Sequence, residues 1–320
     1  MEWALGVDIG GTNVKTGFVN REGTLKGFRS FPTPRTKSGI LDVPKLANEV
    51  AGRFGEAPGG GKVAGAGIGV PGLLNEERTV VRYAVNLGLA DVPLPSLLQE
   101  RWNVPVALDS DVIMGALGEK LGGAAAECGR FLYVGIGTGV GACLIERDGV
   151  YRNPMGGPLN IGHMAVYPDG IPCACGNQGC LERYVSGLGL VERYGAEPPR
   201  VGGHNERASP VGGNERTVER ICALADQGDP LARRLLTEAG RALGIAFANL
   251  FQLFGECPIV VGGGLSRIRA LMLESAVREL ARRGRSALTH PPEVRPAAQP
   301  DRAGVMGAGS AAFARFGPAE

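Results

Sequence analysis

Four residues with metal-binding side chains are concentrated in one short stretch of the sequence. They follow the spacing H-x9-C-x-C-x4-C and are His163, Cys173, Cys175 and Cys180. Three thiolates and one imidazole form a complete tetrahedral ligand set for Zn²⁺, with no open position for a reactive water. Unconnected buried cysteines are the alternative, but three cysteines within eight residues argue against it. The spacing therefore predicts a structural zinc knot at residues 163–180 rather than a catalytic metal.

Three apolar segments run directly into glycine-rich turns: residues 7–13 (VDIGGTN), 134–141 (VGIGTGVG) and 260–266 (VVGGGLS). Glycine lets backbone N–H groups crowd a phosphate without Cβ atoms in the way, and threonine hydroxyls add further donors. One such loop could be an ordinary hairpin connection, but three in one chain favour nucleotide binding. The residues assigned to ATP or phosphate binding are Gly10, Gly11, Thr12, Asn13, Lys15, Gly137, Thr138, Gly139, Gly262, Gly263 and Gly264.

Two common nucleotide-binding folds are disfavoured because the glycine loops lack their phosphate-binding motifs. The sequence contains neither a Walker A lysine motif nor a G-x-G-x-x-G that opens a helix. Because P-loop and dinucleotide-binding proteins depend on those motifs to hold phosphates, the loops indicate a different kind of nucleotide site.

Two carboxylates stand at the ends of predicted strands. Asp8 ends the first strand and is suited to hold Mg²⁺ through water near the phosphates of a nucleotide. Asp111 follows the predicted strand VPVALD and begins a predicted helix, the position at which α/β lobes place their chemistry. The alternative for Asp111 is an ordinary helix N-cap, a role that Asp109 and Ser110 could also fill.

An internal repeat accounts for two of the three glycine loops. Residues 7–10 match residues 134–137 at an offset of 127, and residues 20–23 match residues 146–149 at an offset of 126. Each copy is expected to be a strand, a glycine turn, a second strand, a tight turn and a third strand. The chain therefore looks like two related α/β lobes. We expect an N-terminal lobe at residues 1–108, completed by a C-terminal helix at 302–316, and a second lobe at 109–301 that contains the zinc knot.

The segments outside the repeat are predicted from apolar periodicity and from glycine and proline breaks. A helix is expected at residues 44–54, a strand at 63–70, a strand that enters a glycine turn over 258–264, and a helix directly after the VPVALD strand. Residues 195–216, rich in Gly, Pro and charge, are expected to form a surface loop. The helical pattern of residues 217–255 is broken once, at 228–230, and another helix is predicted at 266–284.

Length and composition limit the classes of protein to which the chain could belong. A chain of 320 residues is longer than one core usually supports, so two domains are expected. The net charge is +2 and the sequence contains no block of basic residues, so we expect no nucleic-acid partner. The apolar runs are short and broken by glycine, and the first predicted strand leaves no room for a signal peptide, so we expect no membrane segment. Seven cysteines without a disulfide-type framework predict a reducing, cytoplasmic location.

Together these motifs resemble the ROK family (repressors, open reading frames and kinases) over nearly the whole chain. The resemblance runs through Asp8–Asn13, Gly69–Gly72, Gly137–Gly139, the Cys-x-Cys-Gly-x-x-Gly-Cys-Leu-Glu segment that ends at Glu182, and Gly262–Gly264. It implies an α/β fold with two duplicated lobes of the ribonuclease-H-like, actin-like ATPase type, with the active site in the cleft between the lobes. It also implies a homodimer or a dimer of dimers.

The function that the resemblance implies is ATP-dependent phosphorylation of a sugar hydroxyl, of the hexokinase or glucokinase type. ATP would lie on the glycine loops with Mg²⁺, and Asp111 matches the family's general base. His163 and Glu182 match ligands of sugar hydroxyls, beside Ser110 and Asn160. His163 would place one ring nitrogen on zinc and the other on the sugar.

The sequence departs from the family pattern at two substrate positions. Sugar kinases of the family usually read Asn-Asp-Ala-Asn around the base, and this chain has Ser110 in place of the first asparagine. They usually read Gly-Glu-Ile-Gly-His before the zinc knot, and here Asn160 replaces the glutamate. A carboxylate accepts hydrogen bonds from two adjacent hydroxyls, whereas an amide offers one acceptor and one donor group. The departures therefore leave open another hexose, an amino or N-acyl sugar, or a cyclic polyol.

Two further alternatives belong to other functional classes. A sugar-sensing repressor would carry a helix-turn-helix domain before the first lobe, and only three residues precede Ala4. A sugar-binding protein with little catalytic activity is suggested by Asn160 and Ser110. Phosphoryl donors other than ATP, such as polyphosphate, also remain open.

Overall fold

The fold is built on two five-stranded sheets that begin with the same antiparallel meander. The computed structural model describes residues 2–153, 157–196, 217–264, 270–285, 288–290 and 292–317. In chain order, the elements of its first part are β1 (Glu2–Ile9), β2 (Asn13–Val19), β3 (Leu25–Pro32), α1 (Val43–Ala51), β4 (Lys62–Val70), β5 (Leu73–Leu74), β6 (Val81–Ala84), β7 (Leu89–Val92), α2 (Leu94–Trp102), β8 (Val106–Ser110) and α3 (Asp111–Gly122).

The second part of the chain repeats the meander and adds most of the helices. Its elements are β9 (Phe131–Ile136), β10 (Val140–Glu146), β11 (Gly149–Val150), α4 (Glu182–Val185), α5 (Gly187–Ala196), α6 (Val218–Asp226), α7 (Pro230–Phe254), β12 (Ile259–Gly262), α8 (Ala270–Arg283), β13 (Val294–Pro296) and α9 (Ala303–Phe316).

The strand orders confirm the predicted duplication. The first sheet has the order β3-β2-β1-β4-β8 and the second the order β11-β10-β9-β12-β13. In the first sheet β1, β2 and β3 pair antiparallel, and β1, β4 and β8 pair parallel. In the second, β10 pairs antiparallel with β11, and β12 pairs parallel with β13. The matched segments 20–23 and 146–149 contain the β2–β3 and β10–β11 turns.

The parallel strands of the first sheet bring two aspartates to the same edge. Asp8 of β1 is in register with Gly69 of β4, and Gly69 is in register with Asp109 of β8. The carboxyl ends of parallel strands lie side by side, so this edge also carries Ser110 and the start of α3.

Helices cover both faces of the first sheet. Apolar residues of β1, such as Leu5 and Val7, pack into a core with Leu46 of α1 and Leu98 of α2. On the other face α9 lies so close that a Cβ atom on Gly67 would stand 1.8 Å from the carbonyl oxygen of Ala308. Glycine at this position therefore lets the backbone of α9 contact the sheet directly.

Several predicted elements are confirmed with small shifts at their ends. The helix expected at 44–54 is α1, which begins after the N-cap Asp42 and stops at Ala51, with Phe54 in a separate 3-10 turn. The predicted break at 228–230 separates α6 from α7, where Asp229 caps the new helix through the Ala232 N–H at 2.7 Å. The loop expected at 195–216 lies outside the described residues from 197 onward, and its first two residues belong to α5.

Other elements have no counterpart among the sequence predictions. The three-stranded antiparallel sheet β5-β6-β7 and helix α2 are the clearest cases. Two-residue and four-residue strands are too short for apolar alternation to mark them.

The chain divides into two compact units. Unit 1 comprises Met1–Tyr133, Ala142–Leu159 and Ala297–Glu320, and unit 2 comprises Val134–Gly141 and Asn160–Pro296. Helix α9 belongs to unit 1, together with residues 109–133, which the sequence prediction assigned to the second lobe. The lobe boundaries at 108 and 301 stay a prediction about the duplicated lobes. Among the described residues, no helix combines the length and apolar character needed to cross a membrane.

Candidate active site

The turn from β8 into α3 carries the candidate base. Ser110 is the N-cap of α3, and its hydroxyl accepts the Val112 N–H at 3.3 Å. The same hydroxyl donates to Oδ1 of Asp111 at 3.2 Å, and Oδ1 also accepts the Val112 N–H at 2.8 Å. Both of these hydrogen bonds to the Asp111 carboxylate use Oδ1.

Burial changes the acidity of the two carboxyl groups at this edge of the sheet. Burial raises the pKa of Asp111, while hydrogen bonds from Val112 and Ser110 act in the opposite direction. Burial and then the repulsion from Asp111 raise the pKa of Asp8 to about 6, despite the opposing charge of Lys15. The structure therefore brings Asp8 and Asp111 close enough to repel each other, and a cation would stabilise both in their charged forms.

The first glycine loop is fixed by hydrogen bonds, two of them from residues that sequence analysis did not single out. The Gly10 N–H donates to the Asn13 carbonyl at 2.9 Å, which closes the turn. The Thr33 hydroxyl donates to the Gly10 carbonyl at 2.7 Å, and the Arg35 guanidinium donates to the Gly11 carbonyl. Within the described part of the chain, the N–H groups of Gly11 and Thr12 have no hydrogen-bond acceptor, so both can donate to a phosphate.

The second strand holds another of the predicted phosphate ligands. Lys15 of β2 is in register with Asp8 of β1, and its ammonium lies 3.4 Å from a carboxylate oxygen of Asp301. Thr12 and Asn13 are exposed at the tip of the loop.

The second glycine loop lies in unit 2, against Glu182. The Gly137 N–H donates to the Gly139 carbonyl at 2.9 Å, and Thr138 is exposed between them. Oε2 of Glu182 accepts the Val140 N–H at 3.2 Å. A Cβ atom on Gly139 would stand 2.7 Å from that oxygen, so the close approach of Glu182 requires glycine here.

The third glycine loop is brought beside the second. Gly263 has φ +90°, and a Cβ atom on it would lie 2.4 Å from the carbonyl oxygen of Ile136 at the end of β9. Gly264 is exposed. The last two residues of the predicted loop, 265 and 266, lie outside the described residues.

The four predicted zinc ligands are brought together in unit 2. The ligand atoms of His163, Cys173, Cys175 and Cys180 all lie within 4.8 Å of one another. Nδ1 of His163 is 3.8 Å from Sγ of Cys173, and Sγ of Cys175 is 3.6 Å from Sγ of Cys180. Tetrahedral Zn²⁺ with Zn–S distances of about 2.3 Å requires ligand atoms about this far apart, so the donor set fits zinc.

Tight turns make this convergence possible. The Gly176 N–H donates to the Cys173 carbonyl at 3.0 Å, and Gly176 has φ +89°. Gly179 has φ +66° and approaches Tyr167 so closely that a Cβ atom would stand 1.5 Å from its carbonyl oxygen. The knot therefore depends on backbone conformations that favour glycine.

Two other predicted sugar ligands of unit 2, Asn160 and His163, lie beside and within one short turn. Asn160 is exposed and precedes a 3-10 turn, Ile161–His163. Gly162, in that turn, lies against Glu182, since a Cβ atom on it would be 3.4 Å from Oε2. The Nδ1 atom of His163 faces the cysteines, so Nε2 is the ring nitrogen that remains for another ligand. The roles assigned to these residues stay predictions.

Sequence analysis also missed the charges behind the β8–α3 turn. Asp109 was considered only as a possible N-cap, but its buried carboxylate is held by the fork of Arg152, with N–O distances of 2.5 and 3.3 Å. No local spacing could have predicted this pair, because Arg152 lies 43 residues further along the chain.

The fold and these sites define an α/β protein of the actin-like ATPase type. It has duplicated meanders, each with a glycine loop between its first two strands, and a Cys₃His cluster. The chain belongs to the ROK family, which matches residues 4–315. The glucokinase of Streptomyces coelicolor is 34% identical over 280 residues, which cover 86% of this chain and 86% of that protein.

A solved structure and a regulator are also similar to the chain. The ROK family glucokinase from Streptomyces griseus, in complex with glucose and AMPPNP, superposes with a TM-score of 0.78 at 30% identity, covering 96% of this chain and 98% of that one. The xylose repressor of Caldicellulosiruptor bescii is 31% identical over 251 residues, which cover 77% of this chain and 61% of the repressor. Similar proteins therefore include both kinases and repressors.

Proposed function

We propose that the protein is an ATP-dependent carbohydrate kinase in which Asp111 is the general base. The observation that carries the proposal is the β8–α3 turn, which holds one oxygen of the half-buried Asp111 carboxylate by two hydrogen bonds and leaves the other for a substrate. Burial raises the pKa of Asp111, which makes its carboxylate a stronger proton acceptor than an exposed one. Similarity to glucokinases over 86% of the chain supports the reaction class.

Phosphoryl transfer depends mainly on positioning and charge neutralisation, and the chain offers groups for both. The unshared N–H groups of Gly11 and Thr12 and the loop at 137–139 would hold the phosphates of ATP, with Lys15 as a nearby positive charge. Asp111 would accept the proton of the attacking sugar hydroxyl through Oδ2. Mg²⁺, held by Asp8 through water, would neutralise phosphate charge when bound. The raised pKa of Asp8 supports this assignment, because a cation offsets the cost of charging a half-buried carboxylate.

The residues proposed to bind the sugar are Glu182, His163 through Nε2, Asn160 and Ser110. Asn160 can both donate and accept a hydrogen bond, whereas a carboxylate at this position would only accept. We therefore propose a hexokinase- or glucokinase-type activity, with another hexose, an N-acyl or amino hexose, or a cyclic polyol as the alternatives to glucose. A substrate that leaves a polar group of the site buried without a hydrogen-bond partner is disfavoured, so such groups discriminate between substrates by large factors.

Zinc would be structural in this kinase. Its four protein ligands leave no site for a substrate, and the knot would hold His163 and Glu182 in place. We further propose that the enzyme is a cytoplasmic homodimer. Neither a membrane nor a nucleic acid has a role in the proposed reaction.

A sugar-binding regulator is the second candidate. Asn160 and Ser110 are the residues that favour it, since both depart from the pattern of the family's sugar kinases, and a xylose repressor is among the similar proteins. A regulator would bind a sugar without consuming ATP.

A substrate panel separates the two candidates. Coupled assays of ADP release with ATP and Mg²⁺ would use glucose, mannose, N-acetylglucosamine, N-acetylmannosamine and myo-inositol. Direct detection of the phosphorylated product would test polyphosphate as an alternative donor. We expect at least one compound to stimulate phosphoryl transfer. If no compound does so but calorimetry detects sugar binding, the regulator is correct and the kinase proposal is wrong.

A further inference from the structure

Asp109 is a buried carboxylate immediately behind the catalytic turn. Two N–H groups of Arg152 donate to it, at 2.5 Å to Oδ2 and 3.3 Å to Oδ1. A second arginine, Arg78 in the β5–β6 connection, places Nε 3.9 Å from Oδ2. The side chain of Asp109 is only 10% exposed, so its charge is compensated by the bidentate contact with Arg152 rather than by water.

The position of Arg152 is set by the second meander. The Tyr151 N–H donates to the Leu144 carbonyl at 2.9 Å, which continues the β10–β11 pairing to the residue before Arg152. Arg152 therefore follows directly after a hydrogen-bonded strand end, and its guanidinium reaches the end of β8 within the same unit. This fork is the planar, bidentate geometry in which arginine binds carboxylates best.

The Asp109 carboxylate is bonded in turn to the residue that orients the base. Its Oδ1 atom accepts the Ser110 N–H at 2.8 Å. Ser110 then donates its hydroxyl to Oδ1 of Asp111 at 3.2 Å. A continuous path of hydrogen bonds thus runs from Arg152 through Asp109 and Ser110 to the base.

We propose that Arg152 is a positioning residue of the kinase: by holding the Asp109 carboxylate, it fixes the Ser110–Asp111 turn and directs Oδ2 of Asp111 to the attacking hydroxyl. This inference rests on the proposed function. Ser110 is shorter than the asparagine usual in the family, and its hydroxyl is already bonded to Asp111. The Asp109–Arg152 pair, bonded to the Ser110 N–H, therefore supplies the further restraint on the turn. Rates fall by up to about 100-fold when a catalytic group is misplaced by about 1 Å.

Arg152 also begins the segment that leads to Asn160. Nδ2 of Asn153, the next residue, donates to the Pro158 carbonyl at 2.8 Å, and the Leu159 N–H donates to the Ala142 carbonyl at 2.8 Å. Asn160 follows directly. The pair with Asp109 therefore anchors both the turn of the base and the beginning of the chain segment that carries a predicted sugar ligand.

The chain offers a matched control pair in the same unit. Arg130 and Glu146 form an ion pair at 2.8 Å, and the side chain of Arg130 is 26% exposed, against 27% for Arg152. Neither Arg130 nor Glu146 is connected to the β8–α3 turn by the bonds described above. Arg130→Ala should therefore reproduce the loss of a half-buried arginine without affecting the base.

The test compares Arg152→Ala, Arg152→Lys, Asp109→Asn and Arg130→Ala with the wild type, using ATP and the most active sugar of the panel. For Arg152→Ala we expect kcat to fall about 10- to 100-fold while the KM for ATP changes less than about twofold. Arg152→Lys keeps the charge but loses the fork, so it should restore only part of the rate. Asp109→Asn keeps an acceptor for Ser110 and should lose less than Arg152→Ala. Arg130→Ala should keep the wild-type rate.

The unfolding midpoint of each variant separates positioning from loss of fold. Because Arg152→Ala leaves a buried carboxylate with weaker compensation, Asp109→Asn/Arg152→Gln is the variant to use if the single change prevents folding. A folded Arg152→Ala or double variant with wild-type kcat would overturn the proposal and leave the kinase assignment intact. A wild-type protein inactive on every sugar would instead overturn the proposed function, and this inference with it.

Discussion

Oε2 of Glu182 accepts a hydrogen bond from the Val140 N–H at 3.2 Å, although 42 residues separate them in the sequence. Glu182 begins α4 two residues after the last cysteine of the knot, and Val140 begins β10 directly after Gly139 of the second glycine loop. This bond therefore joins the metal knot to a predicted phosphate loop. A change in the loop should therefore shift the Glu182 carboxylate, which is proposed to bind the sugar.

Gly139→Ala tests that connection. The new Cβ atom would stand 2.7 Å from Oε2 of Glu182, so the end of this flexible side chain must move. We expect the KM for the sugar to rise about tenfold, while the free energy of unfolding changes by less than about 1 kcal/mol. Gly129→Ala is the control, because the nearest atom to its Cβ lies at 3.9 Å. An unchanged KM for the sugar in Gly139→Ala would contradict a role of Glu182 in sugar binding.

Asp111→Asn removes the proposed base and keeps its shape. We expect kcat to fall about 10²- to 10⁴-fold, the usual contribution of general base catalysis. ATP affinity, measured by calorimetry, should stay near that of the wild type, since the amide still accepts the Val112 N–H through its oxygen. Asp91→Asn removes a carboxylate from an exposed ion pair and serves as the control. Substantial turnover by Asp111→Asn would show that the base lies elsewhere.

Asn160→Glu restores the carboxylate that the family's sugar kinases usually carry. A glutamate accepts hydrogen bonds from two adjacent hydroxyls, so kcat/KM for glucose should increase about tenfold or more. Asn160→Gln has the same length without the charge and should produce no such gain. If Asn160→Glu leaves the ranking of the panel sugars unchanged, residue 160 does not determine the choice of substrate.

Asp8 should make the stability of the protein without Mg²⁺ depend on pH. Its pKa is about 6 in the folded chain against an ordinary 3.8, so the folded state holds a proton that the unfolded chain has released between these values. The contribution of Asp8 to the free energy of unfolding is therefore present at low pH and is lost as the pH rises through about 6. Asp8→Asn removes this dependence, so the variant should gain stability relative to the wild type between about pH 4 and pH 7.

Chemical denaturation at several pH values measures that difference. Asp148→Asn, which changes an exposed carboxylate in the β10–β11 turn, is the control. Added Mg²⁺ should stabilise the wild type more than Asp8→Asn at neutral pH, because only the wild type offers the carboxylate. Parallel curves for wild type and Asp8→Asn would contradict the raised pKa of Asp8.

The Cys₃His cluster should carry about one zinc ion per chain by elemental analysis. Cys173→Ser should lower this content and the unfolding midpoint together, because binding of a structural metal contributes directly to folding. Cys222→Ser, which changes a buried cysteine of α6, should leave the zinc content unchanged. A wild-type protein that folds without metal would contradict the structural role.

Local patterns in the sequence were enough to predict much of the fold and the types of chemistry present. Glycines after apolar runs predicted the loops, a repeat predicted two meanders, and the break at 228–230 separated α6 from α7. The zinc ligands could be predicted because turn residues lie between cysteines close in sequence, so that few backbone paths are needed to bring them together. Short-range rules of this kind depend on neighbours along the chain and need no knowledge of packing.

Only the tertiary structure decided which distant groups meet. The pairing of Arg152 with Asp109, the hydrogen bond from Val140 to Glu182 and the inclusion of α9 in unit 1 each join residues at least 42 positions apart. Such contacts depend on how helices and strands pack, and many arginines and carboxylates of the chain could have formed pairs without violating any local pattern. The sequence by itself determined the kinds of sites, whereas packing determined the environment of Asp8 and Asp111 and therefore their pKa values.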